Sequence, residues 1–182
     1  QISELWNNQG AKVLEINSKS GLYPLLCAYN FYSQSLVRAI KDGNKSEEDI
    51  FRALWDEILA NNIYVLTKSP MAKSITERTL AGYTGAKTNV VYIPDLIEKL
   101  KDKDYNLNQA LAREFKLEGD GMLKFDAVIG NPPYQETISK SEAQTQGNSN
   151  WIYQYFQEGA DKLGGLTCLI YPFGGWFDAP NR

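Results

Sequence analysis

The 182-residue chain contains no histidine. That absence removes Ser-His triads, Cys-His nucleophiles and the common zinc sites together. Cysteine is nearly as scarce: Cys27 and Cys168 stand far apart, each in an apolar stretch. They are expected to be small buried hydrophobes, not a disulfide or a metal site. No apolar run approaches the roughly 20 residues of a membrane helix. The N-terminal QISELWNNQG lacks a charged start and an apolar centre, so it does not resemble a signal peptide. The expectation is a cytoplasmic chain with no membrane partner. A basic excess is missing too: 19 Lys and Arg face 22 Asp and Glu, a net charge of −3, with a pI near 5.1. Phosphate neutralisation supplies most nucleic-acid affinity, so this composition argues against an autonomous grip on DNA. It leaves open a catalytic core whose DNA-gripping surface lies elsewhere. Chemistry here must run on carboxylates, amides, aromatics or a cofactor.

Hydrophobic residues make up 43% and charged residues 23%, a globular balance that suits one domain over 1–182. KVLEI (Lys12–Ile16) reads as a strand running into the polar turn Asn17-Ser18-Lys19-Ser20-Gly21. Leu22–Ile40 reads as a largely buried helix with Pro24 in its first turn. Ser46-Glu47-Glu48-Asp49 then starts a helix carrying Ile50, Leu54, Ile58 and Leu59 on one face. NIYVLT (Asn62–Thr67) is a second strand, and Pro70 opens a helix closed by Gly82. NVVYI (Asn89–Ile93) is a third strand, followed by Pro94-Asp95 and a short helix over Leu96–Leu100. The stretch from there to Gly121 is polar and has no clear period. FDAVI (Phe125–Ile129) is a fourth strand, delivering Gly130-Asn131-Pro132-Pro133-Tyr134. A polar loop (Gln135–Ser149), a helix over Trp151–Leu163 ended by Gly164-Gly165, and a strand LTCLIY (Leu166–Tyr171) complete the pattern. Strands alternating with helices predict an α/β, doubly wound, mainly parallel sheet with helices on both faces. Glu15, Thr67, Asp95 and Asn131 all fall at strand carboxyl ends, where such sheets bind ligands.

Asn-Pro-Pro-Tyr after an apolar strand is the sharpest signal. Two prolines fix an extended path and remove two N–H donors, leaving carbonyls as acceptors. An exocyclic amine could donate one hydrogen to the Asn131 side-chain oxygen and one to the Pro132 carbonyl. Drawing on both hydrogens pushes the nitrogen from planar conjugation toward a lone pair able to attack. Tyr134 offers a flat face for a planar base, worth ~1–3 kcal/mol by comparison with other base–aromatic contacts. The plain alternative is that Pro-Pro ends a strand and Tyr134 packs on a neighbour.

FDAVIGNPPY resembles the catalytic motif of the amino-methyltransferases, and KVLEINSKSGLYPL resembles their cofactor loop. The order of the two is similar to the gamma-class N6-adenine DNA methyltransferases, and most closely to the Eco57I-type restriction-modification methylases. The resemblance implies a Rossmann-like methyltransferase fold, unfinished at its C-terminal edge, and S-adenosylmethionine as cofactor. It also implies adenine-specific methylation of DNA. On that reading Asn131, Pro132, Pro133 and Tyr134 are catalytic and no metal is used. Glu15, Asn17, Ser20 and Gly21 line the methionine and ribose side of the cofactor. Gly21 lets the turn pass close to the ligand. Asp95 fits the position that bonds the cofactor's adenine, an exposed turn aspartate being the alternative. Two departures stand out. Lys19 occupies a position that is often glycine, and Thr67 replaces the acid that grips the ribose hydroxyls, offering one hydrogen bond where a carboxylate makes two.

Further expectations follow from the resemblance. Tyr171, Phe173, Trp176 and Phe177 lie near where a target base would enter, with core packing the expected role for most of them. The loop Gln135–Ser149 could close over substrate. A short helix that usually precedes the cofactor loop is expected to be missing, with only eleven residues before Lys12. DNA would be held by a recognition domain outside this chain, with a restriction subunit or fused nuclease as partner. The rival readings are methylation of a protein glutamine or an RNA base, and a degenerate, non-catalytic scaffold of the same fold.

Overall fold

A computed structural model describes residues 2–41, 47–117, 123–134 and 152–171. Its strands arise from the short runs rich in Val, Ile and Tyr: β1 (Val13–Ser18), β2 (Ile63–Thr67), β3 (Asn89–Tyr92), β4 (Phe125–Gly130) and β5 (Gly164–Leu169). All neighbouring strands pair parallel, in the order β3-β2-β1-β4-β5. Every residue of β1 and β2 is buried, as expected of strands covered on both faces. This is an α/β, Rossmann-like sheet.

Side chains alternate between two apolar clusters. Val13, Ile63, Val65, Val90 and Ala127 face a layer built by Cys27, Phe31, Ile58, Leu59 and Leu80. Those belong to α2 (Leu22–Lys41), α3 (Glu47–Asn61) and α4 (Pro70–Ala81). Leu14, Ile16, Leu66, Phe125 and Val128 face the opposite layer, with Leu96, Leu107, Leu111, Phe156 and Leu163. These come from α5 (Leu96–Lys101), α6 (Leu107–Glu114) and α7 (Tyr153–Leu163). Each side chain fully buried in these layers contributes about 1.5–3 kcal/mol.

Several expectations need correction. A helix does precede the first strand: α1 (Ile2–Asn7) is held by an edge-on contact of Trp6 with Phe31, ring centroids 5.1 Å apart. Arg38 clamps it further through the Asn7 carbonyl and side-chain oxygens at 2.8 and 2.9 Å. Six residues cannot sustain a helix alone, so these tertiary contacts create it. The polar stretch after Lys101 hides α6, capped by the Asn106 side chain accepting from the Gln109 N–H. Gly164 ends α7 as expected, its N–H donating to the Ala160 carbonyl, and with Gly165 it also begins β5, two residues earlier than expected; a Cβ at Gly164 would lie 2.7 Å from the Val128 side chain, so only glycine fits. Cys27 is buried but Cys168 is exposed on β5, and α2 is not largely buried, since it turns Leu22, Leu26, Tyr29, Val37 and Ile40 outward. Ser46, Trp151 and the loop Gln135–Ser149 lie outside the described residues. Among the described residues no helix is long and apolar enough to cross a membrane.

Candidate active site

From β1 the chain crosses to β2 on one side, while β4 lines β1 on the other. The carboxyl ends of β1 and β4 therefore flank the point where strand order reverses, the place where open α/β sheets bind ligands. The turn after β1 leaves from one of these ends and Asn-Pro-Pro-Tyr from the other. Gly130 brings them together. A Cβ there would sit 2.5 Å from the Ile16 carbonyl oxygen and 3.2 Å from its side chain, so any larger residue would force β4 off β1. Ile170 closes the other side, its N–H donating to the Gly130 carbonyl at 2.9 Å.

The β1 turn is polar yet deeply buried. Glu15 is 3% exposed and Asn17 4%. One Glu15 carboxylate oxygen and the Asn17 amide nitrogen have no hydrogen-bond partner. Burial pushes the Glu15 carboxyl up to about 7 from an ordinary value near 4.5, although the Ser18 hydroxyl bonded to it pulls the other way. Asn17 takes a left-handed backbone, φ 67°, at a register shift in the β1–β2 pairing. Asparagine tolerates that conformation better than most residues. Buried orphan polar groups cost about 1–3 kcal/mol each, and here two stand two residues apart on one turn, so the turn carries polar capacity that the fold itself does not use.

Gly21 and Ser18 brace the turn. The Gly21 N–H donates to Ser18 Oγ at 3.2 Å, and the Ser18 and Thr76 hydroxyls lie 3.4 Å apart. Thr79 donates to the Ser20 carbonyl at 2.8 Å. Gly21 has φ 78°, and its missing Cβ makes room for Thr76 and Thr79 of α4 at 3.0–3.3 Å. The close passage expected of Gly21 is thus toward α4. Ser18, which the sequence reading left out of the site, ties Glu15, Gly21 and Thr76 together. Its signal was its place inside the polar turn, between Asn17 and Ser20.

At the β4 end, Asn131 is half-buried, Pro132 buried, and Pro133 and Tyr134 half-buried. The Tyr134 hydroxyl donates to Asn131 Oδ1 at 3.0 Å. An amide oxygen has two lone pairs, so one remains for an amine. Among the described residues none donates to the Pro132 carbonyl. The Ile152 N–H, at the start of α7, anchors the Tyr134 carbonyl at 3.2 Å.

The remaining candidates fare differently. Thr67 is 1% exposed and its hydroxyl donates to the Val91 carbonyl at 2.8 Å, so it faces the sheet and its one proton is spent. Asp95 precedes α5, exposed, with φ 52° and no side-chain cap bond. It lies past β3, with β2 and β1 standing between that strand and β4. Ser20 is exposed beside the turn. Tyr171 is half-buried, donating to the Gln157 side chain and tilted 5.2 Å from the Tyr153 ring. Burial, with help from Asp161, raises its phenol. Phe173, Trp176 and Phe177 lie outside the described residues.

Comparison with curated proteins gives no match. A family model does match, over residues 61–181, from the end of α3 through Asn-Pro-Pro-Tyr and β5. The β1 turn precedes that span, so the sheet is what joins it to the matched region. The match covers well over half of the chain, which belongs to the Eco57I restriction-modification methylase family.

Proposed function

We propose that this methylase chain transfers a methyl group from S-adenosylmethionine to the N6 amine of adenine in DNA, as the modification arm of a restriction-modification system. The observation that carries the reading is the contact of Gly130 with the Ile16 carbonyl, which sets the Asn-Pro-Pro-Tyr segment beside the β1 turn.

The residues of the turn fit the cofactor. Its amino-acid end is a zwitterion, and the two buried orphans are one acceptor, on Glu15, and one donor, on Asn17. Glu15 would take the ammonium and Asn17 the carboxylate, with the Ser20-Gly21 backbone beside them. Asp95 would accept from the adenine amine. Thr67 would contribute a wall, its proton being committed to Val91. When bound, the cofactor supplies a sulfonium-linked methyl group that a nitrogen lone pair can take directly.

The chain's own work is positioning. Extruding the adenine from the duplex costs a few kcal/mol. Asn131 Oδ1 and the Pro132 carbonyl accept the two amine hydrogens and turn the nitrogen lone pair toward the methyl group. Tyr134 holds the Asn131 amide through its hydroxyl and lays its ring against the base. The methylated amine would then give up its surplus proton to water, the Asn131 and Pro132 oxygens having held both amine hydrogens until that point. Alignment supplies most of the acceleration, with no general base of unusual pKa. The acidic balance of the chain supports DNA being gripped by a region outside it; a nuclease as companion rests on the family alone.

The test is methylation of plasmid DNA by the intact protein, with nucleosides read by mass spectrometry. N6-methyladenine is the expected product. Methyl transfer to protein glutamine or RNA in its place would overturn the substrate assignment. Calorimetry with S-adenosylmethionine separates enzyme from scaffold: absence of heat at millimolar ligand would remove the catalytic reading altogether.

A further inference from the structure

Helix α2 has two apolar faces. Cys27, Ala28 and Phe31 bury one against the sheet. The other, carrying Leu22, Leu26, Tyr29, Val37 and Ile40, points to solvent, each of these residues between 54% and 65% exposed. With Ser33 between Tyr29 and Val37, the spacing runs in steps of four and three, close to that of a coiled-coil seam. From Leu22 to Val37 there is no charged residue, so the face carries nothing for phosphate or an acidic lipid surface to recognise. These five side chains expose on the order of 600 Å², at the top of what a monomer's largest apolar patch shows and close to the roughly 800 Å² each partner buries in a standard interface. Met71 and Ile75 of α4, exposed at 72% and 44%, extend the apolar surface at the Gly21 end, where Thr76 and Thr79 abut the helix.

We propose that this face is the contact of a symmetric homodimer, α2 packing antiparallel on α2 of a second copy. The helix is self-complementary in that arrangement. With the two-fold axis level with Phe31, Leu22 meets Ile40, Leu26 meets Leu36, and Tyr29 meets Ser33. A large ring then faces a small residue on either side of the axis, and leucines and isoleucine fill the outer layers. Two polar groups beside the seam already bond within the helix: Ser33 donates to the Tyr29 carbonyl at 2.8 Å, and Asn30 donates to the Leu26 carbonyl at 2.8 Å. A two-fold contact of one patch on itself is the commonest oligomer geometry.

Sedimentation equilibrium on the chain tests the proposal, with Leu26→Glu and Tyr29→Glu as variants. A concentration-dependent dimer is expected, converted to monomer by either substitution with the far-ultraviolet dichroism unchanged. A chain that stays monomeric at high micromolar concentration overturns it, whatever else covers the face. So does a dimer that survives both substitutions. Orientation is read by oxidising a mixture of Tyr29→Cys and Ser33→Cys chains in a Cys168→Ser background. The mixture should form a disulfide-linked dimer that neither variant forms alone, whereas self-linking by Tyr29→Cys alone would overturn the antiparallel arrangement.

Discussion

Two regions of this chain break the usual burial rule in opposite directions. At the carboxyl edge of the sheet, Glu15 and Asn17 hide polar atoms that bond to nothing. Along α2, leucine, tyrosine, valine and isoleucine stand in water. The first region costs folding energy and the second forgoes it. On the functions proposed above, both would serve recognition, of a small polar ligand in one case and of a second copy in the other. The two should therefore respond oppositely to substitution.

Asn131→Ala is the largest expected effect. Losing the acceptor that holds the amine should reduce methylation by about 10²–10³-fold or more, with affinity for S-adenosylmethionine nearly unchanged, as single-turnover assays and calorimetry would report. Comparable loss of cofactor affinity would show that the two ends of the edge are not separate in function.

Glu15→Gln comes next and carries a pH signature. The fold raises the Glu15 carboxyl from about 4.5 to about 7, so it favours the neutral form. That contribution is fully present below pH 4.5, fades as pH rises through 7, and is gone above it. The difference is about 3 kcal/mol. Urea titrations at about pH 5 and about pH 8 should show the native chain losing stability with pH and the variant losing much less. The same variant should weaken cofactor binding roughly tenfold, because the ammonium loses its anion. A variant destabilised at both pH values would mean Glu15 is a structural residue.

Gly130→Ala inserts a Cβ 2.5 Å from the Ile16 carbonyl. Overpacking of this kind costs about 1–3 kcal/mol, and here it also displaces Asn131, so melting temperature and turnover should fall together. Thr67→Val removes one hydrogen bond, to Val91, and should cost about 1 kcal/mol with cofactor affinity unchanged. A clear drop in affinity would return Thr67 to the ribose. Leu26→Gln, on the outward face, should move the unfolding free energy of the dilute chain by no more than about 0.5 kcal/mol. A larger loss would mean that this face is part of the core.

The alternation of β-branched strands with helical stretches was readable along the chain, and all five strands fall within two residues of the expected bounds. Asn-Pro-Pro-Tyr was readable because proline constrains the backbone wherever it stands. What escaped reading depended on partners distant in sequence. Helix α1 exists through Phe31 and Arg38, more than twenty residues away. Gly164 starts a strand because Val128 leaves no space for a side chain there. Thr67 looked like a ligand-facing residue until its hydroxyl met the Val91 carbonyl on the adjacent strand. The apolar α2 read as buried because hydrophobicity reports a preference for burial without saying what does the burying.

Periodicity and proline determined on their own that this is an α/β chain with a rigid Asn-Pro-Pro-Tyr segment after a strand, and the lack of histidine that no imidazole acts within these 182 residues. These are local or compositional properties, and chain neighbours suffice to express them. Only the tertiary structure decided that Gly130 touches Ile16, that Glu15 and Asn17 are stranded together, and that one face of α2 is left bare. Each of those depends on which strands lie side by side, and parallel pairing joins residues that are far apart along the chain.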